Sequence, residues 1–341
     1  MADTYLDAWN VSESDFPVNG ETSDKLRFLL KYAVLAPSGH NTQPWLFKIV
    51  GEETQLYADR TRGLRVVDPY DRELIISCGA ALLNLRIALR HFGYTAVVKT
   101  FPDPKNHDLL ASVRPGDFMA ATAEEHSLFR AITKRHTNRL RFEDRQIPEG
   151  VLSNLQALAA QEGAWLHIVQ GEDARNTVAD LIAVGDRIQG RDQRFRHELA
   201  AWIHPNRRHS LDGMPGYAFG VPDVVSYFGP LTVRTFDWSA GQAATDRQLA
   251  TGSPVLSVLW TDADGPSDWL SAGQALGRVL LQARSDSVWA SFLNQPIEIA
   301  ALRSKLSDIL GIAGFPQVLA RMGYGPEARP TPRRRISDVL R

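Results

Sequence analysis

Residues 71–92, DRELIISCGAALLNLRIALRHF, read as one long apolar helix rich in small side chains. Gly, Ala and Ser let another helix come close, so this helix is expected at the centre of the molecule. The chain supplies a matching stretch. Ser77-Cys-Gly-Ala-Ala-Leu82 aligns with Ser271-Ala-Gly-Gln-Ala-Leu276 at an offset of 271 − 77 = 194. The same register lays Leu85 on Val279, Ile87 on Leu281 and Arg90 on Arg284. A second match, Phe47-Lys-Ile-Val50 on Leu166-His-Ile-Val169, has an offset of 166 − 47 = 119. The difference, 194 − 119 = 75 residues, marks an insertion in the second copy. Repeats of this order imply duplication. The expected architecture is an α+β pseudo-dimer of two fused copies, residues 1–125 and 126–341, with a mixed sheet flanked by helices in each.

Other segments fit this plan. Leu26, Leu29, Leu30 and Ala33 recur at helical spacing over 24–35, and the helix must stop where Pro37 pushes Ala36 out of the α region. Trp45–Val50 and Thr54–Ala58 read as a hairpin, and Val97–Phe101 as a strand, followed by an irregular linker over 102–125. The second copy reads as helices at 127–135, 149–161, 172–188, 267–284 and 298–311, strands at Trp165–Val169 and Pro254–Thr261, and a loose tail to Arg341. The stretch 190–250 is polar, rich in Arg, His, Gly and Pro, and reads as an irregular lid-like insertion.

Bulk properties narrow the function. At 44% apolar and 23% charged residues, the composition is that of a globular protein. A net charge of −1 recruits neither nucleic acid nor an anionic membrane. Cys78 is the single cysteine, which rules out an intrachain disulfide and a Cys-rich metal site. His197, His204 and His209 lack metal-ligand spacing, and Gly-x-Gly-x-x-Gly, Walker and Gly-x-Ser-x-Gly patterns are missing. The N-terminus does not read as a signal peptide, so the expected location is cytoplasmic.

Three segments carry the chemistry: Ala36-Pro-Ser-Gly-His-Asn-Thr-Gln-Pro-Trp45; Arg135-His-Thr-Asn-Arg139 followed by Phe142 and Ile147-Pro148; and Met322-Gly-Tyr-Gly325 followed by Pro332-Arg-Arg-Arg-Ile336. Taken alone, Arg-x-x-x-Arg is usually a solvated charge cluster, and Asn41 and Gln43 suit turn chemistry. In this order and over nearly the whole chain, the three resemble the motifs of FMN-dependent nitroreductases. The first resembles that family's Pro-Ser loop.

The resemblance implies a nitroreductase-like fold, FMN as cofactor, and NAD(P)H with a small electron-poor acceptor, a nitroaromatic or quinone, as partners. Flavin N5 would carry the hydride, so no side chain need be a nucleophile. The phosphate needs guanidinium forks, which Arg135, Arg139, Arg333 and Arg335 can supply, with His136 and Thr137 between the first pair. The ring needs backbone and amides, for which Pro37, Ser38, Gly39, Asn41 and Gln43 are the candidates. Ala290 and Ser291 stand where the family often has a Glu-Gly or Gly-Gly turn near N5. The Arg motifs occur only in copy two and the Pro-Ser loop only in copy one, so one complete site is implied. This resembles the tandem, single-chain (Acg-like) branch, working as a monomeric pseudo-dimer or a homodimer. The alternative reading is a protein that sequesters FMN beneath the insertion with little turnover.

Overall fold

The computed structural model describes residues 4–206 and 209–341, so Arg207 and Arg208 of the insertion lie outside the described residues. The first half runs α1 (Thr22–Ala33), β1 (Trp45–Val50), β2 (Glu53–Ala58), α2 (Arg72–His91), β3 (Tyr94–Thr100), β4 (Leu109–Phe118) and α3 (Ala123–Ile132). The second begins with α4 (Glu149–Gln161) and β5 (Trp165–Ile168). Then come α5 (Glu172–Arg191), α6 (Gln193–Trp202), β6 (Ile203–His204), β7 (Met214–Pro215), α7 (Asp223–Ser226), α8 (Gly229–Thr235) and α9 (Ser239–Thr251). It closes with β8 (Val255–Thr261), α10 (Pro266–Ser285), β9 (Trp289–Phe292), α11 (Gln295–Glu298), α12 (Ala300–Leu310), β10 (Phe315–Gly323) and α13 (Ile336–Val339).

The two four-stranded sheets have the orders β1-β2-β4-β3 and β5-β8-β10-β9. Replacing each strand of the first by its counterpart in the second gives the same topology, so the duplication is written into the sheets. All pairs within them are antiparallel. The mixed sheets expected from the sequence are therefore antiparallel; parallel pairing among the described residues is limited to the separate short pair β6–β7 and the single bridges of Phe47 with Leu340 and Thr137 with Ala290.

The helix seam follows the same symmetry. A Cβ on Gly79 would run into the Leu270 carbonyl oxygen, and one on Gly273 into the Ile76 carbonyl oxygen. Gly79 pairs with Gly273 and Ile76 with Leu270 at the offset of 194 read from the sequence (273 − 79 and 270 − 76), so the contact is self-complementary, as across a two-fold axis. Helix α2 is long and apolar enough by composition to cross a membrane, yet 83% of that window is buried inside the protein, against α10 and the first sheet.

Three segments differ from their sequence reading. The 102–125 linker contains β4, whose first five residues are all buried, so alternation is lost, while Pro115 and Gly116 break its second half. The tail contains β10, a central strand buried from Pro316 onward despite its bulge near Pro316. The 190–250 stretch is largely helical: α6, α8 and α9 lie in it. Small residues hide that pattern, since Gly190 packs directly against Ser239. Strands β5 and β8 pair as β1 and β2 do, but residues 169–254 join them where Gly51 and Glu52 suffice in the first copy. The insertion therefore begins before 190 and includes α5.

Candidate functional site

The Pro-Ser loop leaves α1 and folds tightly before β1. Ser38 Oγ accepts from the Gln43 amide at 2.9 Å. His40, Asn41 and Gln43 all sit at positive φ, between 49° and 57°, a concentration of left-handed non-glycine residues that costs conformational energy and marks functional loops. Asn41 Nδ2 donates to Gly213 O at 2.8 Å and Pro332 O at 3.1 Å, while its Oδ1 accepts from Arg333 Nη1 at 2.8 Å. Gln43 Nε2 donates to Leu211 O at 2.9 Å, and its Oε1 accepts from the Arg334 backbone at 2.7 Å. Both amides thus clamp the loop to the insertion and to the C-terminal arm. Pro37, Ser38 and Gly39 are left lining a cavity of about 720 Å³.

The C-terminal arm reaches the first copy because Leu340 bridges Phe47 and the Arg341 amide donates to Phe47 O at 2.8 Å. This carries Arg333 to the loop. Arg335, expected beside it, is exposed, and its backbone N–H goes to Asp338. Arg334 takes that place, donating through Nη1 to Gln43 O at 3.1 Å.

Around the loop the protein gathers buried cations, of which Arg139 and Arg321 feel Asp246 while Arg135 and Arg333 have no carboxylate within ion-pair distance among the described residues. Arg135 is 5% exposed and donates to Leu35 O at 3.2 Å. Burial lowers its pKa, and that of Arg139, to about 10; Arg333 falls well below its usual value through burial, then through Arg135. His136 drops to about 3, for burial first and Arg135 second. Thr137 lines the recess beside Arg135 and His136 and also the main cavity. Arg139 enters the cavity, its guanidinium 4.8 Å from the Phe219 ring. Several buried nitrogens have no hydrogen-bond partner among the described residues: His136 Nδ1, Arg139 Nη1, Arg333 Nε, and Nε and Nη1 of Arg321. Uncompensated buried cations are costly, and the arrangement calls for a bound anion.

Ala290 and Ser291 lie in strand β9 rather than a turn. Ala290 is bridged to Thr137 on one side and paired with Met322 on the other. Ser291 and its partner Arg321 both line the cavity, while Ala290 does not.

The insertion meets all three motifs. Besides its carbonyls on Asn41 and Gln43, Met214 Sδ lies 3.6 Å from Arg139 Nη2, and Tyr217 donates to Pro330 O at 2.8 Å. It also brings carboxylates. Asp186 and Asp246 line the cavity together with Glu73 and Glu298. Burial, then Asp246, pushes Asp186 up to about 7; burial raises Glu73 and Glu298 as well.

No family model matches the chain. Rv3131 of Mycobacterium tuberculosis strain H37Rv, provisionally named an NAD(P)H nitroreductase, is 32% identical over 323 residues, 93% of this chain and 91% of that protein. The acg protein of the same strain, similarly named, is 30% identical over 332 residues, 94% of this chain and 96% of its own length. The chain belongs to the nitroreductase superfamily. Among solved structures, it is similar to the FMN and NADPH-dependent nitroreductase NfnB of Sphigopyxis sp. strain HMH, at 17% identity and a TM-score of 0.42, covering 63% of this chain and 97% of that one.

The nitroreductase motifs quoted from the sequence thus converge at one place. Arg321 and the carboxylates were not read from the sequence. Arg321 is followed by the Met-Gly-Tyr segment, and alternation along a strand there would have aimed its side chain at the site; Glu73 and Asp186 lie in helices legible from the sequence but only tertiary packing turns them to the cavity, while Asp246 lies in α9, within the stretch read as irregular.

Proposed function

We propose that this chain is an FMN-dependent oxidoreductase that takes reducing equivalents from NAD(P)H and passes them to a small electron-poor acceptor of the nitroaromatic or quinone type. The observation that carries the reading is the set of buried guanidinium and imidazole nitrogens with no partner among the described residues where the Pro-Ser loop, the Arg segment and the C-terminal arm meet. Arg135, Thr137 and Arg333 would hold the phosphate, and Pro37, Ser38 and Gly39, with Arg139 and Ser291, would border the ring. His136, kept neutral, can donate one N–H without adding charge. Bound there, FMN would accept and deliver a hydride, chemistry that no side chain here supplies. The chain's own part is to bind, orient and exclude water.

One site per chain is proposed, with the copies divided near residue 125. In the second copy only residues 162–164 join α4 to β5, against 34–44 in the first, so no second Pro-Ser loop exists. The contacts of the insertion with every motif favour a second reading, in which FMN is held with little turnover. Purified protein should yield close to one FMN per chain and oxidise NADPH anaerobically when a nitroaromatic is added. A flavin ratio near two would show a second site; flavin bound without turnover would select the sequestering reading; no flavin binding would sink both.

A further inference from the structure

The cavity wall formed by α5, α9 and α11 presents more acceptors than the protein satisfies. Gln295 Nε2 donates to Asp186 Oδ1 at 3.0 Å and to Asp246 Oδ2 at 2.8 Å. Two carboxylates on one amide nitrogen fix the amide's orientation, because the flipped form would set its oxygen against both. Asp246 Oδ1 is also satisfied, by Gln242 Nε2 at 3.0 Å. Gln295 Oε1 and Asp186 Oδ2 remain as buried oxygens without a partner among the described residues. Asp186 is 4% exposed and lines the cavity, as Gln295 does.

No cation lies within ion-pair distance of Asp186 among the described residues. Arg72 is held by Glu73 at 2.7 Å and by the Gln317 carbonyl at 2.7 Å. Arg139 and Arg321 act on Asp246, and Arg187, the next residue along the chain, acts on Asp186. A buried carboxylate oxygen beside an open cavity gains most from a charged donor. Phe195, Leu199 and Leu249 line the same cavity and can cover an apolar body.

We propose that the Asp186–Gln295 wall is a subsite for the ammonium or amidinium group of a small cationic acceptor, Asp186 Oδ2 and Gln295 Oε1 each accepting an N–H. That the ligand is the acceptor rests on the flavin reading above; the preference for a cation does not. An ammonium offers three donors and the matching charge, a hydroxyl one donor, a carboxylate none.

Isothermal titration of the flavin-loaded protein at pH 8, where Asp186 is ionised, with benzylamine, benzyl alcohol and benzoate tests this without turnover. Benzylamine is expected to bind about tenfold or more tightly than either other ligand, the lower range for a charge-assisted hydrogen bond. In Asp186→Asn its affinity should fall to that of benzyl alcohol. Equal affinities for the three, tightest binding of benzoate, or a benzylamine preference that survives in Asp186→Asn overturns the proposal. If the variant does not fold, the charge series on the unmodified protein still decides. Absence of NADPH oxidation would count against the flavin reading and leave these titrations standing.

Discussion

A guanidinium taken out of water needs a counter-charge, and Arg135 has none within ion-pair distance among the described residues; its hydrogen bond goes to the neutral Leu35 carbonyl. If its partner is the cofactor phosphate, the apoprotein bears the cost of that burial. Arg135→Met should therefore leave the apoprotein as stable as before, or more stable by about 1–2 kcal/mol. FMN affinity should drop roughly 30–150-fold, the loss of a charge-assisted fork. Melting curves of the apoprotein and FMN titrations read both. A lower melting temperature with unchanged FMN binding would make Arg135 a structural residue.

Asp186 supports a pH prediction with a definite sign. Its folded pKa is about 7 against 3.8 for the free side chain, raised by burial and then Asp246, with Gln295 and Arg187 opposing. A carboxyl raised on folding holds its proton in the native state while the unfolded chain releases it, so stability falls as pH rises from about 4 to 7. Asp186→Asn should thus gain on the order of 1–3 kcal/mol above pH 7, and the gain should vanish towards pH 4. Denaturant unfolding at pH 8 and pH 4.5 checks this; a constant difference at both refutes it. At this scale the sequence motifs single out Arg135, Arg139 and Arg333, and the fold gathers the three around the Pro-Ser loop and the cavity, where their cofactor role is a proposal. Motif reading alone does not say which neighbour of Arg333 turns inward: Arg335 is exposed, while Arg334 meets the loop, and Arg321 faces the cavity from a strand.

Among elements, the seam between α2 and α10 decides the fold. Gly79 and Gly273 face each other's helix backbone at symmetric positions. Gly79→Ala and Gly273→Ala should each destabilise by about 1–3 kcal/mol, because the methyl meets a carbonyl oxygen and not a side chain that can turn away. Gly150→Ala, on α4 with open space around it, should gain roughly 0.5–1 kcal/mol instead. Equal effects at all three, read from denaturant midpoints, would show that helix propensity governs and close approach does not. This seam was legible because small residues at matching positions in two helices leave a visible register. The strands β4 and β10 were not. β10 is buried on both faces for nearly all its length and β4 over its first half, so the period-two signal disappears there, and each carries a proline that suggests a loop.

For the whole molecule, the open question is what the insertion does between β5 and β8. Its place in the second copy was legible from the repeat arithmetic and α5 from its helical reading, but its full extent, the helices α6 to α9 and the hydrogen bonds that join it to Asn41 and Gln43 were not. Of the aromatic residues available to it, Phe219 lines the cavity and packs on Arg139, Tyr217 pins Pro330, Trp202 lies 5.3 Å from the Arg62 guanidinium, and Tyr227 stays exposed. Arg62 also pairs with Asp212, so the 210–219 tip is held at the Pro-Ser loop, the arm and the cavity rim together. A lid so attached must hold the loop as well as cover the site. Replacing 205–222 by a short Gly/Ser turn removes the carbonyls that Asn41 and Gln43 clamp, so FMN should leave at least about tenfold faster, the equivalent of two or more lost hydrogen bonds. Bulky nitroaromatics should gain in kcat/KM more than small ones, because the rim that excludes them is gone. Rapid-dilution measurements of FMN release and a size series of acceptors read the two effects separately. Faster release with unchanged acceptor preference would make the insertion a brace for the loop. If neither changes, the tip neither braces the loop nor gates the cavity, and the lid assignment fails.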